Sequence, residues 1–552
     1  MVKNFFKNSV NFLNTKQTDI VSAATVIMFT VAVSKILGVI KLRMLSARFT
    51  PDELGVYFAS FRLPNLLFEF LVLGALTSAF IPVFTRFLSQ DKKDEAFHVA
   101  SSVINISIVL TLIFSLPIFV FSKEISLFLT PGFNSIQLET MASFTRIILI
   151  AQVIPLIIGN FLTGILQSFK RFLIPALAPI VYDIGIIVCI YFLSPKIGLY
   201  SAVYGVVVGS MLFFLIQIPM VISLGYRFGF NFDFYHKGVR EIGKLMLPRS
   251  IGLAASQIDA TVDLILASLL GARSITIFNF AQTLQLLPIL LFGSTISQAA
   301  LPTLSEEISE GNPERFKTTL LTSLHQILFL VFPASILLLV LRVPVVRLAF
   351  GAKLFDWEAT ILTGKTLAAF AISVFAQSGV QILARAFYAM HDSKTPVMVG
   401  IFSVVLNIAL SVVFIYFLKY PVWALGISTS IASIVNVLVL LFFLDRKVQG
   451  FDRQLLLSSP LKILFASLIT GAGLYIPMKL LDQLVFDTTR TINLIILTGV
   501  VSIIGFSVYL FLAVILKISE ARLFLSGIAK IGNFRKILIT SPEIIDAEKP
   551  NP

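Results

Sequence analysis

Apolar runs of roughly 20 residues recur along the whole 552-residue chain with short polar breaks between them, and a run of that length crosses a hydrocarbon layer of about 30 Å. No water is available in that layer, so a spanning segment must satisfy its own backbone polar groups; these runs therefore predict helices. Composition agrees, with 57% hydrophobic and 13% charged residues and a mean hydropathy of +0.94, where soluble domains carry about 25% charge. Spans are expected near 20–40, 55–85, 98–121, 140–167, 173–193, 199–225, 246–270, 275–304, 319–341, 363–389, 396–418, 422–444, 463–478 and 492–516. The expected fold class is an all-α polytopic membrane protein with about 14 transmembrane helices. Met1–Thr18 is polar with scattered Lys, so no cleaved signal is expected and the first span should be retained.

A net charge of +14 raises the question of a nucleic-acid partner. With the N-terminus in the cytoplasm, the even-numbered loops and both tails hold roughly twice as many Lys and Arg as the opposite loops, which is the positive-inside bias of an inner-membrane protein. The basic balance thus reports orientation, with both termini cytoplasmic and no nucleic acid. The single cysteine, Cys189, and four His supply neither a disulfide framework nor a metal cluster. No gap between spans is long enough for a soluble catalytic domain, so function must reside among the helices.

Weak internal similarity organises those helices. SAFIP (78–82) matches QAALP (298–302), ISLFLTPGF (125–133) matches VRLAFGAKLF (346–355), and LQSFKRFLIP (166–175) matches FYAMHDSKTP (387–396), all at an offset of about 220 residues. Two parallel six-helix repeats are expected, 1–235 and 236–450, followed by two extra C-terminal helices in 451–520 and a cytoplasmic tail in 521–552 with a disordered end. Such paired bundles usually work by alternating access.

Ionisable residues inside spans are costly and mark function by default. Ser34, Lys35 and Lys41 lie on the first span, where a cationic patch suits a phosphate or pyrophosphate head group; alternatively Lys41 snorkels to an interface and Lys35 pairs with Glu69. Arg62, Asn65 and Glu69 form one polar stripe on the second span, facing either a cavity or a neighbouring helix. Asp259 and Asp263, one turn apart on the seventh span, with Asn407, Ser411 and Thr429 on helices expected nearby, offer oxygen ligands. A Na⁺ site at Asp263, Asn407 and Thr429, a protonatable carboxylate coupled to H⁺, and plain interhelical hydrogen bonding all remain open. Asp183, Arg146, Arg249 and Arg385 read as structural or gating residues. Loop acids such as Asp52, Glu53, Asp356 and Glu358 show no basic or His partner in the sequence, which argues against a membrane enzyme.

Several stretches together resemble the lipid II flippase (MurJ/MviN) family of the multidrug/oligosaccharidyl-lipid/polysaccharide exporter superfamily: FRLPNLL (61–67), GALTSAFIPVF (74–84), TPGF (130–133), FKRFLIPALAPIVYDI (169–184), LPRSIGLAASQIDATVDLILAS (247–268), SQAALPTLSEE (297–307) and RAFYAMHDSKTPV (385–397). The resemblance implies a V-shaped transporter with a cationic central cavity that moves a lipid II-like, polyprenyl-pyrophosphate-linked peptidoglycan precursor from the inner to the outer leaflet. It also implies a lipid-tail groove at spans 13 and 14, a site between spans 1, 2, 7 and 8, and cell-wall synthesis enzymes as partners. Lys35 and Lys41 stand where the family's first-helix arginines stand, keeping charge but losing the guanidinium fork. Family charges are missing at three places: Phe68-Glu69 replaces an arginine pair, Leu73 an acid, and Thr283 an arginine. Another lipid-linked glycan, or an ion-coupled drug or cation exporter of the same superfamily, is the alternative cargo class; the mixture of Lys35, Lys41 and Arg62 with Glu69 and Asp183 favours an anion.

Overall fold

The computed structural model describes residues 20–73, 79–484, 491–522 and 524–525, with side chains described for all of these except 20–29, 31–32, 72–73, 247–254 and 482–484. The polar N-terminal segment, the C-terminal tail from 526, part of the 74–84 motif and the Arg249 side chain therefore lie outside the described residues.

In chain order the helices are α1 (Ile20–Arg48), α2 (Pro51–Ser60), α3 (Arg62–Phe68), a π-helical turn (Glu69–Leu73), α4 (Ile81–Ser89), α5 (Lys93–Val120), α6 (Ser122–Leu129), α7 (Ser135–Ala151), α8 (Val153–Ser168), α9 (Leu173–Ile197), α10 (Tyr200–Leu215) and α11 (Ile218–Ser223). They continue with α12 (Lys237–Leu269), α13 (Ala272–Pro288), a second π segment (Ile289–Ser294), α14 (Thr295–Ser309), α15 (Pro313–Val340), α16 (Arg342–Phe350), α17 (Trp357–Ala371) and α18 (Val374–Ala389). The chain closes with α19 (Lys394–Val412), a third π segment (Val413–Phe417), α20 (Trp423–Lys447), α21 (Arg453–Leu484) and α22 (Thr491–Ile515). No strand occurs among the described residues.

Ten of these stretches are long and apolar enough to cross a membrane, eleven if α17 and α18 count as one broken span. They cover every expected span except the first, second and seventh, which coincide with α1, with α2 to α4, and with α12. Each of those three includes residues whose side chains lie outside the described set, and the second is broken into short helices around a π turn rather than running unbroken over 55–85. A total of fourteen is compatible with this arrangement, and the all-helical membrane architecture stands.

Local chemistry sets the helix starts. Thr50 and Glu53 form a reciprocal capping box ahead of Pro51, with Glu53 Oε2 accepting from the Thr50 amide at 2.8 Å, and Asn134 and Gln137 form another at the start of α7. Such boxes satisfy amides that no helical carbonyl can reach.

Contacts group the described chain into two compact units that interleave along the sequence. One takes residues within Met1–Leu284, Arg342–Phe370 and Val397–Ala432; the other takes residues within Gln285–Leu341, Ala371–Pro396 and Ser433–Pro552. The core of the first is aromatic: Phe80, Phe84 and Phe161 are fully buried, with Phe80 edge-on to Phe161 at 5.2 Å between centroids. Small residues let its helices meet, as is usual where lipid supplies no hydrophobic drive between helices. A side chain at Gly55 on α2 would collide with the Ala272 carbonyl of α13, and one at Gly132 of the TPGF loop with the Ser268 carbonyl of α12. Gly55→Ala is expected to cost roughly 1–3 kcal/mol through overpacking, measurable as a lowered thermal midpoint in detergent; an unchanged midpoint would show that these backbones separate freely.

In the second unit α21 packs on α15, with Gly471 against Ile336, and α22 packs on α21, with Gly505 against Leu474. Buried Tyr509 on α22 donates its hydroxyl to the Phe329 carbonyl of α15 at 2.7 Å. Just beyond α22, buried Glu520 approaches His325 of α15 at 3.5 Å and accepts from Ser459 of α21 at 3.2 Å. This unit also holds an apolar cavity of about 440 Å³ lined by Leu461, Leu464, Phe465, Leu468 and Leu516, with Lys462 as its charged lining residue.

Candidate functional site

Every residue singled out from the sequence for substrate or ion binding falls in the first unit. The polar stripe on α3 faces α12. Arg62 donates through Nε to Thr261 Oγ1 at 2.9 Å and through its terminal nitrogen to Gln257 Oε1 at 2.8 Å and to the Gln257 carbonyl. Thr261 in turn donates to the Gln257 carbonyl at 2.7 Å, so its hydroxyl is used in both senses. Gln257 completes the cluster by donating its side-chain amide to Glu69. The cation and the acid of the stripe are thus bridged by one glutamine rather than by direct contact. The π turn begins at Glu69; inserted single π turns recur where a helix must re-aim a functional side chain.

Arg62 and Asn65 also line a cavity of about 170 Å³ together with Asp263 of α12 and Asn279 and Gln282 of α13, closed by aromatic walls that include Phe61. Asp263 is 6% exposed. The cavity therefore pairs a guanidinium with a buried carboxylate among neutral amides. Its volume suits water or a small ion and is too small for a sugar-pyrophosphate head group in this conformation. Thr283, where the family arginine is missing, donates to the Asn279 carbonyl of its own helix at 2.8 Å.

Spans 2, 7 and 8 thus meet around one cavity, whereas the first span lines a different one. Ser34 and exposed Lys35 on α1 border a space of about 360 Å³ with Gln167, Phe172, Pro175 and Pro179 of α8, α9 and their junction. No ion pair joins Lys35 to Glu69 among the described residues; Glu69 is engaged by Gln257 instead. Lys41 does not snorkel free: its ammonium meets Asp183 Oδ1 of α9 at 2.6 Å, with side-chain exposures of 21% and 10%, and stands 5.8 Å from the Tyr182 ring. Two steps further along α1, Arg43 donates to the carbonyls of Arg347 (3.3 Å) and Leu348, both in α16.

The oxygen-rich group splits into two. Asn407 of α19 donates to Asp259 Oδ1 at 2.8 Å, while its own side-chain oxygen is buried without a partner. Asp263 lies one turn away on the cavity side. Ser411 hydrogen-bonds Ser428 of α20 at 2.6 Å, and Thr429 donates to the Leu425 carbonyl of its own helix at 2.9 Å. Asn407 is therefore with Asp259 rather than Asp263, and the Thr429 hydroxyl proton is already used locally. Among the described residues no group of three or more His, Cys, Asp or Glu could hold a metal.

Of the remaining charges, Arg146 donates to the Phe119 carbonyl at 3.1 Å. Contrary to the expectation from the sequence, two of the loop acids have a basic partner: Arg273 pairs with Asp356 and lies 3.6 Å from Glu358. Their pairing ties the start of α13 to the start of α17, and Glu53 is occupied by its capping box. Gln257, Thr261 and Arg273 carry no signal in the sequence alone, because an ordinary polar residue becomes significant only through a partner far along the chain.

A sequence-family model described as lipid II flippase MurJ matches residues 52–495. A protein of Borreliella burgdorferi named probable lipid II flippase MurJ is 26% identical over 88% of this chain and 94% of its own length. The lipid II flippase MurJ of Burkholderia cenocepacia is 24% identical over 80% of this chain and 86% of its own. Among solved structures, one described as lipid II flippase MurJ in an inward closed conformation superposes with a TM-score of 0.73 at 26% identity, covering 88% of this chain and 98% of that one. An inward-facing multidrug resistance MATE family transporter of the MOP superfamily shares the fold, with a TM-score of 0.61 at 16% identity over 75% of this chain and 94% of its own.

Proposed function

Because the chain belongs to the lipid II flippase MurJ family, we infer that it carries lipid II, the polyprenyl-pyrophosphate-linked peptidoglycan precursor, from the inner to the outer leaflet of the cytoplasmic membrane. It is a transporter and not an enzyme, and its place is in peptidoglycan and cell-wall biogenesis, hence in cell shape. The observation that carries the reading on this chain's own residues is the placement of Lys35, Lys41 and Arg62 in one unit: intramembrane cations persist where an anion must pass.

In this reading Lys35, exposed beside Ser34, meets the pyrophosphate first; Arg62 and Asn65 line its path, and Lys41 joins when its pair with Asp183 opens. Glu69, through Gln257, holds Arg62 in place. The lipid tail lies along the apolar surface of α21 and α22, for which the cavity at Leu461, Phe465 and Leu516 offers room. Cargo moves by alternating access of the six-helix bundles 1–235 and 236–450, with both termini cytoplasmic. A membrane potential negative inside favours the outward passage of an anion by about 2.3 kcal/mol per charge per 100 mV. Asp263, with Asp259 and Asn407, is the candidate for an added H⁺ or Na⁺ coupling, no organic cofactor is needed, and enzymes that polymerise the flipped precursor are the natural partners.

The test is complementation of a bacterium depleted of its lipid II flippase. The native chain is expected to restore growth. Lys35→Ala, which breaks no ion pair among the described residues, is expected to reach the membrane in native amounts and to lower the rescue roughly tenfold or more in plating efficiency. Full rescue by Lys35→Ala would remove this residue from the path, and failure of a well-inserted native chain would move the cargo to another lipid-linked glycan.

A further inference from the structure

Between α11 and α12 the chain crosses one face of α5 as a non-helical strap, residues 226–235. Its sequence, YRFGFNFDFY, alternates aromatic residues with small or polar ones, and exposure alternates in step over 228–234, as an extended chain requires. The odd positions are fastened to α5. Asn105 donates to the carbonyls of Gly229 (2.8 Å) and Asn231 (3.0 Å), Asn231 donates its side-chain amide to His98 Nδ1 (3.2 Å), and His98 Nε2 meets Asp233 Oδ2 at 3.3 Å. Ser101, on the same face of α5, bonds the Tyr226 hydroxyl at 3.0 Å. From 228 to 234 the even positions are left facing outward: Phe228 is 45% exposed, Phe230 85%, Phe232 49% and Phe234 57%.

Such a strap fits neither bulk phase. Non-helical backbone facing lipid is not tolerated within the hydrocarbon, and a row of exposed phenylalanines is a marked apolar patch in water. The boundary between the two accommodates both. Where the strap begins, an apolar cavity of about 470 Å³ opens among Ile158, Leu162, Phe214, Ile218 and Phe228, with Arg227 as the one charged residue lining it. A second cation stands at the same end: Lys93 lies 5.6 Å and 5.8 Å from the centroids of the Phe97 and Phe169 rings, and Phe97 packs edge-on against Tyr226 at 5.3 Å. An apolar chamber of small-molecule size with cations at one end is complementary to a ligand that has an apolar tail and an anionic head.

We propose that this cavity and strap form a binding site for one anionic membrane phospholipid, with an acyl chain in the cavity, the phosphodiester on Arg227, and Phe230, Phe232 and Phe234 seated in the surrounding interface. The site is separate from the residues assigned to the cargo and does not depend on which cargo is carried.

The test uses the full chain in phosphatidylcholine nanodiscs doped with phosphatidylglycerol that bears a photoactivatable acyl chain, and maps the labelled residues by peptide mass spectrometry. Labelling is expected at 158–162 and 214–228. It should fall several-fold when the same photoactivatable chain is carried by phosphatidylcholine, fall several-fold in Arg227→Gln and persist in Arg227→Lys, and be unaffected by excess soluble glycerol phosphate. The comparison of the two lipids needs no variant, so it stands even if Arg227→Gln folds poorly. Equal labelling by both lipids, labelling elsewhere, or competition by glycerol phosphate would each overturn the site, the last by showing a simple anion pocket. A Phe230→Ser, Phe232→Ser chain that binds the photolipid as well as the native protein would overturn the role of the strap.

Discussion

Arg62→Ala is expected to abolish growth complementation and to lower the thermal midpoint sharply. The guanidinium gives three hydrogen bonds to Gln257 and Thr261, and its charge balances Glu69 through the Gln257 bridge. Removing one member of a part-buried charged cluster leaves the rest desolvated and unpaired, a cost of about 3–5 kcal/mol for fully buried cases and less here. Arg62→Lys keeps the charge but cannot reproduce the fork to two acceptors, so partial stability and weak rescue are expected. Arg62→Met combined with Glu69→Leu separates the roles, since it removes both charges and replaces them with apolar groups of similar size. That chain should regain most of its thermal stability yet still fail to support growth. If growth returns with stability, Arg62 is a lock between α3 and α12 and has no part in cargo passage.

Lys41→Ala is expected to be nearly as damaging, for a reason that the charge pattern alone does not show. Its ammonium lies 2.6 Å from Asp183, which is 10% exposed in α9. Truncating Lys41 therefore strands a carboxylate, and loss of growth in Lys41→Ala could come wholly from misfolding. The neutral pair Lys41→Met with Asp183→Leu is expected to restore the thermal midpoint to near the native value, because a buried ion pair is often worth no more than a well-packed apolar pair. Growth should remain impaired, since the cargo then meets one cation fewer. Full growth of the neutral pair would make Lys41 purely structural and leave Lys35 and Arg62 as the cationic path.

The sequence made the membrane helices legible because an apolar run of span length has few other fates. It was least direct within 55–85, where nothing announced the break into short helices or the π turn at Glu69. For the site, the cost of intramembrane charge pointed to the right residues but not to their partners. Lys41 with Asp183 and Arg62 with Gln257 join positions far apart in the chain, and such pairings come from packing rather than from spacing. Asn407 could be placed near the Asp259 face from helix order, yet which of the two aspartates it serves depends on helix rotation. The 226–235 strap was hidden for another reason: alternating phenylalanines imply a strand, and the partner that fastens this segment is a helix face made of His98, Ser101 and Asn105.

The most direct measurement is translocation itself. The full chain is reconstituted into sealed vesicles containing fluorescent lipid II, with a potential imposed across the membrane, and lipid II reaching the far leaflet is read by its accessibility to an externally added enzyme that processes the head group. The native chain is expected to expose lipid II faster than protein-free vesicles, a potential driving the anion outward is expected to speed this further, and Lys35→Ala is expected to slow it roughly tenfold or more. Lipid II exposure no faster than in protein-free vesicles, from a chain that is folded and correctly inserted, would contradict lipid II translocation by this chain.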